Sequence, residues 1–114
     1  MTLNEWAQLA HNNAVAHGFW SHGESYPERI ALLHEELSEL FHSYRKGTLR
    51  DLCDKKGCPL TNEAEEMADV FIRLVDLAAA RGVDLDRAVM LKTEYNATRP
   101  HLHGDAQAPG EDNG

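Results

Sequence analysis

The sequence predicts an all-α fold, an antiparallel bundle of four main helices with no sheet. Three observations lead there. Four stretches repeat apolar residues at i, i+3, i+4 and i+7, the period of a helix with one buried face. Each stretch opens with a helix-capping signal and closes near a glycine or a proline. No segment alternates apolar and polar residues over the length of a strand, and no internal repeat is visible.

A chain of 114 residues is long enough for one hydrophobic core. Hydrophobic residues make up 42%, with only three Phe, three Tyr and two Trp, so the core is expected to be mainly aliphatic. Eleven basic against nineteen acidic residues leave a net charge of -8, which disfavours a nucleic-acid polymer or an anionic membrane as partner. Small anionic ligands that arrive with metal ions stay open. The first residues lack the charged-then-apolar pattern of a signal peptide, and no apolar run approaches membrane-spanning length. A soluble, cytoplasmic protein is therefore expected. Cys53 and Cys58 are then read as two thiols in a loop, because a lone pair at this spacing is a poor zinc signature.

The first helix starts at a capping box, Thr2 with Glu5 three residues on, and runs to about His17 before Gly18. Its inward stripe begins with Leu3, Trp6 and Ala10 and continues through Asn13, Ala14 and His17. The stripe turns polar at its end. Either these side chains reach water at a frayed end, or they line a pocket that needs hydrogen-bonding groups. Trp20, in the connector that follows, is either a core plug or a flat surface for a ring.

Pro27 suits the first turn of a second helix that runs to about Arg45. Ile30, Leu33, Leu37, Leu40, Phe41 and Tyr44 form its apolar stripe, with Glu36 at the shoulder and Glu39 and Glu35 further round. A loop to Asn62 carries Lys46, Arg50, Lys55 and Lys56. It reads as a solvated loop or as a flap over phosphates. Asn62 is the expected cap of the third helix, with Glu65 at its third position, and Gly82 ends it. This helix has two apolar stripes. One holds Met67, Val70, Phe71, Leu74, Leu77 and Ala78; the other holds Ala68, Ile72, Val75 and Ala79. Between them lies a polar strip of Glu66, Asp69, Arg73 and Asp76. A helix apolar on two sides is central or lies at a subunit interface, so a homodimer or homotetramer is expected.

Asp84 caps a fourth helix to about Arg99, where Pro100 follows. Lys92, Asn96 and Arg99 continue its inward stripe beyond Leu85, Ala88 and Val89. They are either snorkelling side chains or a set suited to a phosphate chain. Residues 1–100 are thus one helical domain. His101 to Gly114, poor in large aliphatic residues, reads as a disordered tail.

The chemistry-bearing pattern is a pair of acid motifs, Glu36-Leu37-Ser38-Glu39 and Glu66-Met67-Ala68-Asp69. Acids three apart lie about 60° apart around a helix, where like charges repel unless a cation sits between them. Two such pairs on neighbouring helices form an all-oxygen cage suited to Mg²⁺ or Mn²⁺. One rival is a carboxylate-bridged di-iron bundle. Glu39 and His42 supply one Glu-x-x-His, but the second is missing. Another is a non-catalytic nucleotide-binding or regulatory bundle.

With these motifs, the preceding Glu35 and the Lys92…Tyr95-Asn96…Arg99 stripe, residues 3 to 99 resemble the MazG-like all-α nucleoside-triphosphate pyrophosphohydrolases. That resemblance implies hydrolysis of a nucleoside triphosphate to its monophosphate and pyrophosphate with Mg²⁺, or Mn²⁺ in its place. It implies Glu36, Glu39, Glu66 and Asp69 as metal ligands and Glu35 as general base, a role Glu36 could exchange with it. Lys92, Asn96 and Arg99 would hold phosphates, and Asn13, His17 and Trp20 would contact the base.

Overall fold

The computed structural model describes residues 1–100, so the tail expected from residue 101 onward lies outside the described residues. Four helices are present and no sheet: α1 (Leu3–Ala16), α2 (Tyr26–Arg45), α3 (Asn62–Arg81) and α4 (Leu85–Ala97). Among the described residues the sole β pairing is an isolated antiparallel bridge between Leu52 and Thr61. Residues 1–83 form one compact unit containing α1, α2 and α3; α4 belongs to a second unit that begins at Asp84. No helix of the described residues is long and apolar enough to cross a membrane.

In the first unit α3 packs against both α1 and α2. Val75 of α3 is its only large side chain buried almost completely, and Leu77 and Ala78 lie beside it. The buried face of α1 is small: Ala7, Ala10 and Ala14, at i, i+3 and i+7. Methyl side chains at that spacing let two helix backbones approach closely, so the seam is thin and aliphatic. This corrects the expected stripe on α1. Trp6 stands 45% exposed at the edge, because the alanines take the contact that a larger residue would hold open.

The α2 stripe is also narrower than its periodicity suggests. Ile30, Leu33 and Leu40 are half-buried, whereas Leu37, Phe41 and Tyr44 are exposed. They line a shallow groove together with Leu49 and Met67. On α3, Met67, Phe71, Ile72 and Leu74 are exposed as well. The helices meet along one seam, so each wide stripe is only partly covered.

Capping follows the sequence closely. Thr2 and Glu5 form the expected box, and Ser25 forms a second one with Glu28, a signal overlooked before Pro27. The expected Asn62 cap is corrected to Thr61, whose hydroxyl accepts from the Ala64 amide at 3.1 Å. Asn62 is held elsewhere: its Nδ2 donates to the Thr48 carbonyl at 2.9 Å and its amide to the Asp51 carbonyl at 2.8 Å. Gly82 ends α3 with φ 68°, a left-handed conformation that costs glycine little. Asp84 caps α4 as expected.

Two contacts set the direction of α2 against α3. Arg81, at the end of α3, places its guanidinium 5.1 Å from the ring centre of Tyr26, at the start of α2. At the other end the Glu63 amide donates to the Leu49 carbonyl, just beyond α2. The two helices are therefore antiparallel. The connector before α2 is tied down by a buried group. Arg29 lays its guanidinium over Trp20, 3.6 Å from the ring centre, and Nη2 donates to the Phe19 carbonyl and to Glu24. Trp20 Nε1 in turn donates to the Asp76 carboxylate at 2.9 Å, and His11 Nδ1 donates to the same group at 2.8 Å.

Thr61→Ala is expected to cost about 1 kcal/mol by removing the α3 cap. Asn62→Ala is expected to act through the Thr48 contact, leaving the cap in place. Urea unfolding monitored by circular dichroism checks both: the Thr61 variant should lower the midpoint at unchanged m.

Candidate functional site

Antiparallel packing brings Glu36 of α2 opposite the start of the polar strip on α3. Glu36, Glu66 and Asp69 each offer a carboxylate oxygen, and these lie within 4.8 Å of one another. All three residues are half-buried. On α3 the two acids are three residues apart and share a face, as the motif requires.

The electrostatics show how uneasy this cluster is. Burial first, then the charges of Glu65, Asp69, Glu36 and Glu39, push the Glu66 carboxyl up to about 7. Burial and Glu65 raise Asp69, while Lys55 and Arg73 pull it back. Burial and then Asp69 raise Glu36, partly offset by Arg73. Three carboxylates that resist ionising together are a donor set that a divalent cation would relieve. Hard oxygen donors at this density fit Mg²⁺ or Mn²⁺.

Glu39 and Glu35 stand differently. Both are exposed on α2 and lie outside the close set among the described residues. Glu39 still acts on Glu66, and Glu35 on Glu36, through charge. His42 is exposed and belongs to no such cluster, so the one Glu-x-x-His of α2 assembles no histidine-bearing site among the described residues.

Two basic groups flank the acids. From the loop, Lys55 Nζ lies 3.1 Å from Glu65 and 3.2 Å from Asp54. From α3, Arg73 Nε lies 3.4 Å from Glu36 Oε2. The pairing of Lys55 with Glu65 does not follow from the sequence pattern. The signal was present in the acidic run before Glu66 and in the basic loop, but pairing across the loop depends on how that loop folds back. It does so as a narrow turn: Leu52 bridges Thr61, and the Cys53 amide donates to the Leu60 carbonyl at 2.9 Å. Both cysteines are free thiols, as expected.

Beside the acids opens a cleft of about 420 Å³, a size suited to a small molecule. Glu36, Asp69, Arg73 and Asp76 are its charged lining, and Trp6, Leu9, Phe19 and Ile72 its larger apolar lining. Asn13 and His17 line it too, so the polar end of the α1 stripe faces a pocket. His17 Nδ1 donates to the Asn13 carbonyl at 2.8 Å, which fixes the ring. Trp20 does not line the cleft. Its ring is covered by Arg29 and its Nε1 is used by Asp76, so it is the plug of the two readings, and Trp6 and Phe19 supply the aromatic wall. Lys92 and Asn96 lie one turn apart on α4, which ends at Ala97, short of the expected Arg99; Lys92 and Arg99 lie 4.8 and 5.7 Å from the Tyr95 ring centre.

Compared with protein-family models, curated proteins and solved structures, the chain matches none.

The raised Glu66 carboxyl has a stability consequence. Its folded value lies above the ordinary 4.5, so the folded state binds the proton more tightly than the unfolded chain. That contribution is fully present at low pH and is lost as pH rises from about 4.5 to about 7. In EDTA, Glu66→Gln is therefore expected to raise the thermal midpoint at pH 8 relative to wild type, with the gap closing towards pH 4. Equal gaps at both pH values would show that Glu66 titrates normally.

Proposed function

We propose that the protein is a Mg²⁺-dependent nucleoside-triphosphate pyrophosphohydrolase with a MazG-like helical bundle, acting in the cytoplasm as a homodimer or homotetramer. The observation that carries this reading is a joint one: three carboxylates converge, and two of them, Glu36 and Asp69, line a cleft that also has an aromatic and aliphatic lining. Such a cleft suits a ligand with a polyanionic end and a flat, weakly polar end. The sequence resemblance supports the same substrate class.

Glu36, Glu66 and Asp69 would hold the metal, with Glu39 completing the set from the next turn of α2. When bound, Mg²⁺ supplies charge neutralisation for the triphosphate and a site at which water is acidified. Glu35 takes the proton from the attacking water, directly or through a second water. The water oxygen bonds to the α-phosphorus, the bond from that phosphorus to the α–β bridging oxygen breaks, and pyrophosphate leaves with the electron pair. Trp6, Phe19 and Ile72 exclude water around the base, while Asn13 and His17 present an amide and an imidazole to its edge. Trp20 acts behind this wall, holding Asp76. The sequence resemblance alone implies Lys92, Asn96 and Arg99, which belong to the second unit, as phosphate ligands. The exposed apolar residues of α2 and α3 support the oligomer.

A panel of natural and modified triphosphates, scored by pyrophosphate release with Mg²⁺ and Mn²⁺, tests the assignment. Glu36→Gln and Asp69→Asn are each expected to lower kcat by roughly a hundredfold or more, since a charge in the centre is lost, while the helical circular dichroism signal is kept. Wild-type activity in both variants would refute the metal centre. Lys92→Ala is expected to raise KM with little change in kcat, as a lost binding charge should.

A further inference from the structure

We propose that Arg73 is a shared counter-ion of the site, pairing alternately with Glu36 and with the phosphates of the ligand. This rests on the pyrophosphohydrolase reading and assigns a phosphate-positioning role to a residue outside the acid motifs.

Arg73 stands one turn beyond Asp69 on the same side of α3, and its Nε lies 3.4 Å from Glu36 Oε2. Glu36 is also one of the three converging carboxylates, so Arg73 and a divalent cation compete for one group. The pair is loose. It uses Nε alone at a long distance, not the two-bond fork by which guanidinium holds carboxylate most firmly. The Arg73 side chain is 38% exposed, so it has room to move. The other acid nearby, Asp76, is already engaged by His11 and Trp20. Glu36 is the sole ion-pair partner of Arg73 among the described residues.

Arg73 also lines two cavities. One is the main cleft; the other is a side pocket of about 160 Å³, where it stands with Phe19, His22, Leu32 and the Glu24–Arg29 ion pair. Phe19 and Arg73 are common to both, so Arg73 stands where they adjoin. A guanidinium at that junction, freed from Glu36 by a metal's charge, is placed for a phosphate group lying between the carboxylates and the side pocket.

The competition makes a prediction of opposite signs. Removing Arg73 takes away the metal's rival and so tightens metal binding, and it takes away a phosphate ligand and so weakens phosphate binding. A purely structural arginine would not split the two. The experiment measures Mn²⁺ binding by electron paramagnetic resonance of the free ion, for wild type, Arg73→Gln and Arg73→Lys. Imidodiphosphate binding is then measured by calorimetry at saturating Mg²⁺. Arg73→Gln should tighten Mn²⁺ about threefold, the scale of a partly exposed ion pair. It should weaken imidodiphosphate about tenfold, the scale of a charge-assisted hydrogen bond. Arg73→Lys, which keeps the charge, should fall between wild type and Arg73→Gln on both measures. Unchanged or weaker Mn²⁺ binding in Arg73→Gln, or unchanged imidodiphosphate binding, would overturn the role of Arg73 alone. A wild-type protein that takes up no Mn²⁺ would overturn the metal centre itself, and this inference with it.

Discussion

The antiparallel register of α2 on α3 is the constraint from which the site follows. It fixes which turn of one helix faces which turn of the other. Tyr26 lies against Arg81 at one end and Leu49 is bonded to Glu63 at the other, and in this packing Glu36 comes within reach of Glu66 and Asp69. A slip of one residue on either helix turns its side chains by about 100° and would disperse the cluster. The register is held by aliphatic packing, by the cation–π contact and by the loop hydrogen bonds. The acids are placed by these contacts and gain nothing from their own proximity.

That makes the site a local cost carried by the rest of the unit. Burial and mutual repulsion both raise the carboxyls, and Lys55 and Arg73 offset only part of this. The two bases are held differently. Lys55 comes from a turn closed by backbone bonds and is paired with Glu65, one residue before the cluster. Arg73 is on the helix itself and pairs with a member of the cluster. One stabilises the edge of the site; the other stands within reach of whatever binds.

In the lining of the cleft, Asp76 joins three parts of the chain. It accepts from His11 of α1 and from Trp20 of the connector, while Arg29 of α2 covers the indole. This network ties α1 and the connector to the α3 strip that carries Asp69. A part-buried carboxylate with good donors costs far less than one left alone, which explains an acid in so small a core.

The helices, most of their caps and the acid motifs were legible in sequence because each depends on neighbours within one turn. Thr2 with Glu5, Gly82 and the three-residue spacing of the acids are local chemistry. The polar end of the α1 stripe was legible too: Asn13 and His17 break an apolar period, and they line the cleft. The Asn62 cap was misread because two adjacent residues both cap helices. The choice of Thr61 was made by the loop, which engages Asn62 from Thr48 and Asp51. The width of the buried faces was misread for a related reason. Periodicity shows which residues are able to face a partner, and helix crossing shows which of them do.

By itself, then, the sequence determined the all-helical class, most of the helix ends and which residues carry charge on each face, since these follow from backbone geometry and residue spacing. The tertiary structure alone decided that Glu36 joins Glu66 and Asp69 while Glu39 stays exposed, that Trp20 is a plug while Trp6 and Phe19 face the cleft, and that Lys55 and Arg73 are the counter-charges. Each of these is a distance between residues far apart in the chain, and such distances are set only when helices pack.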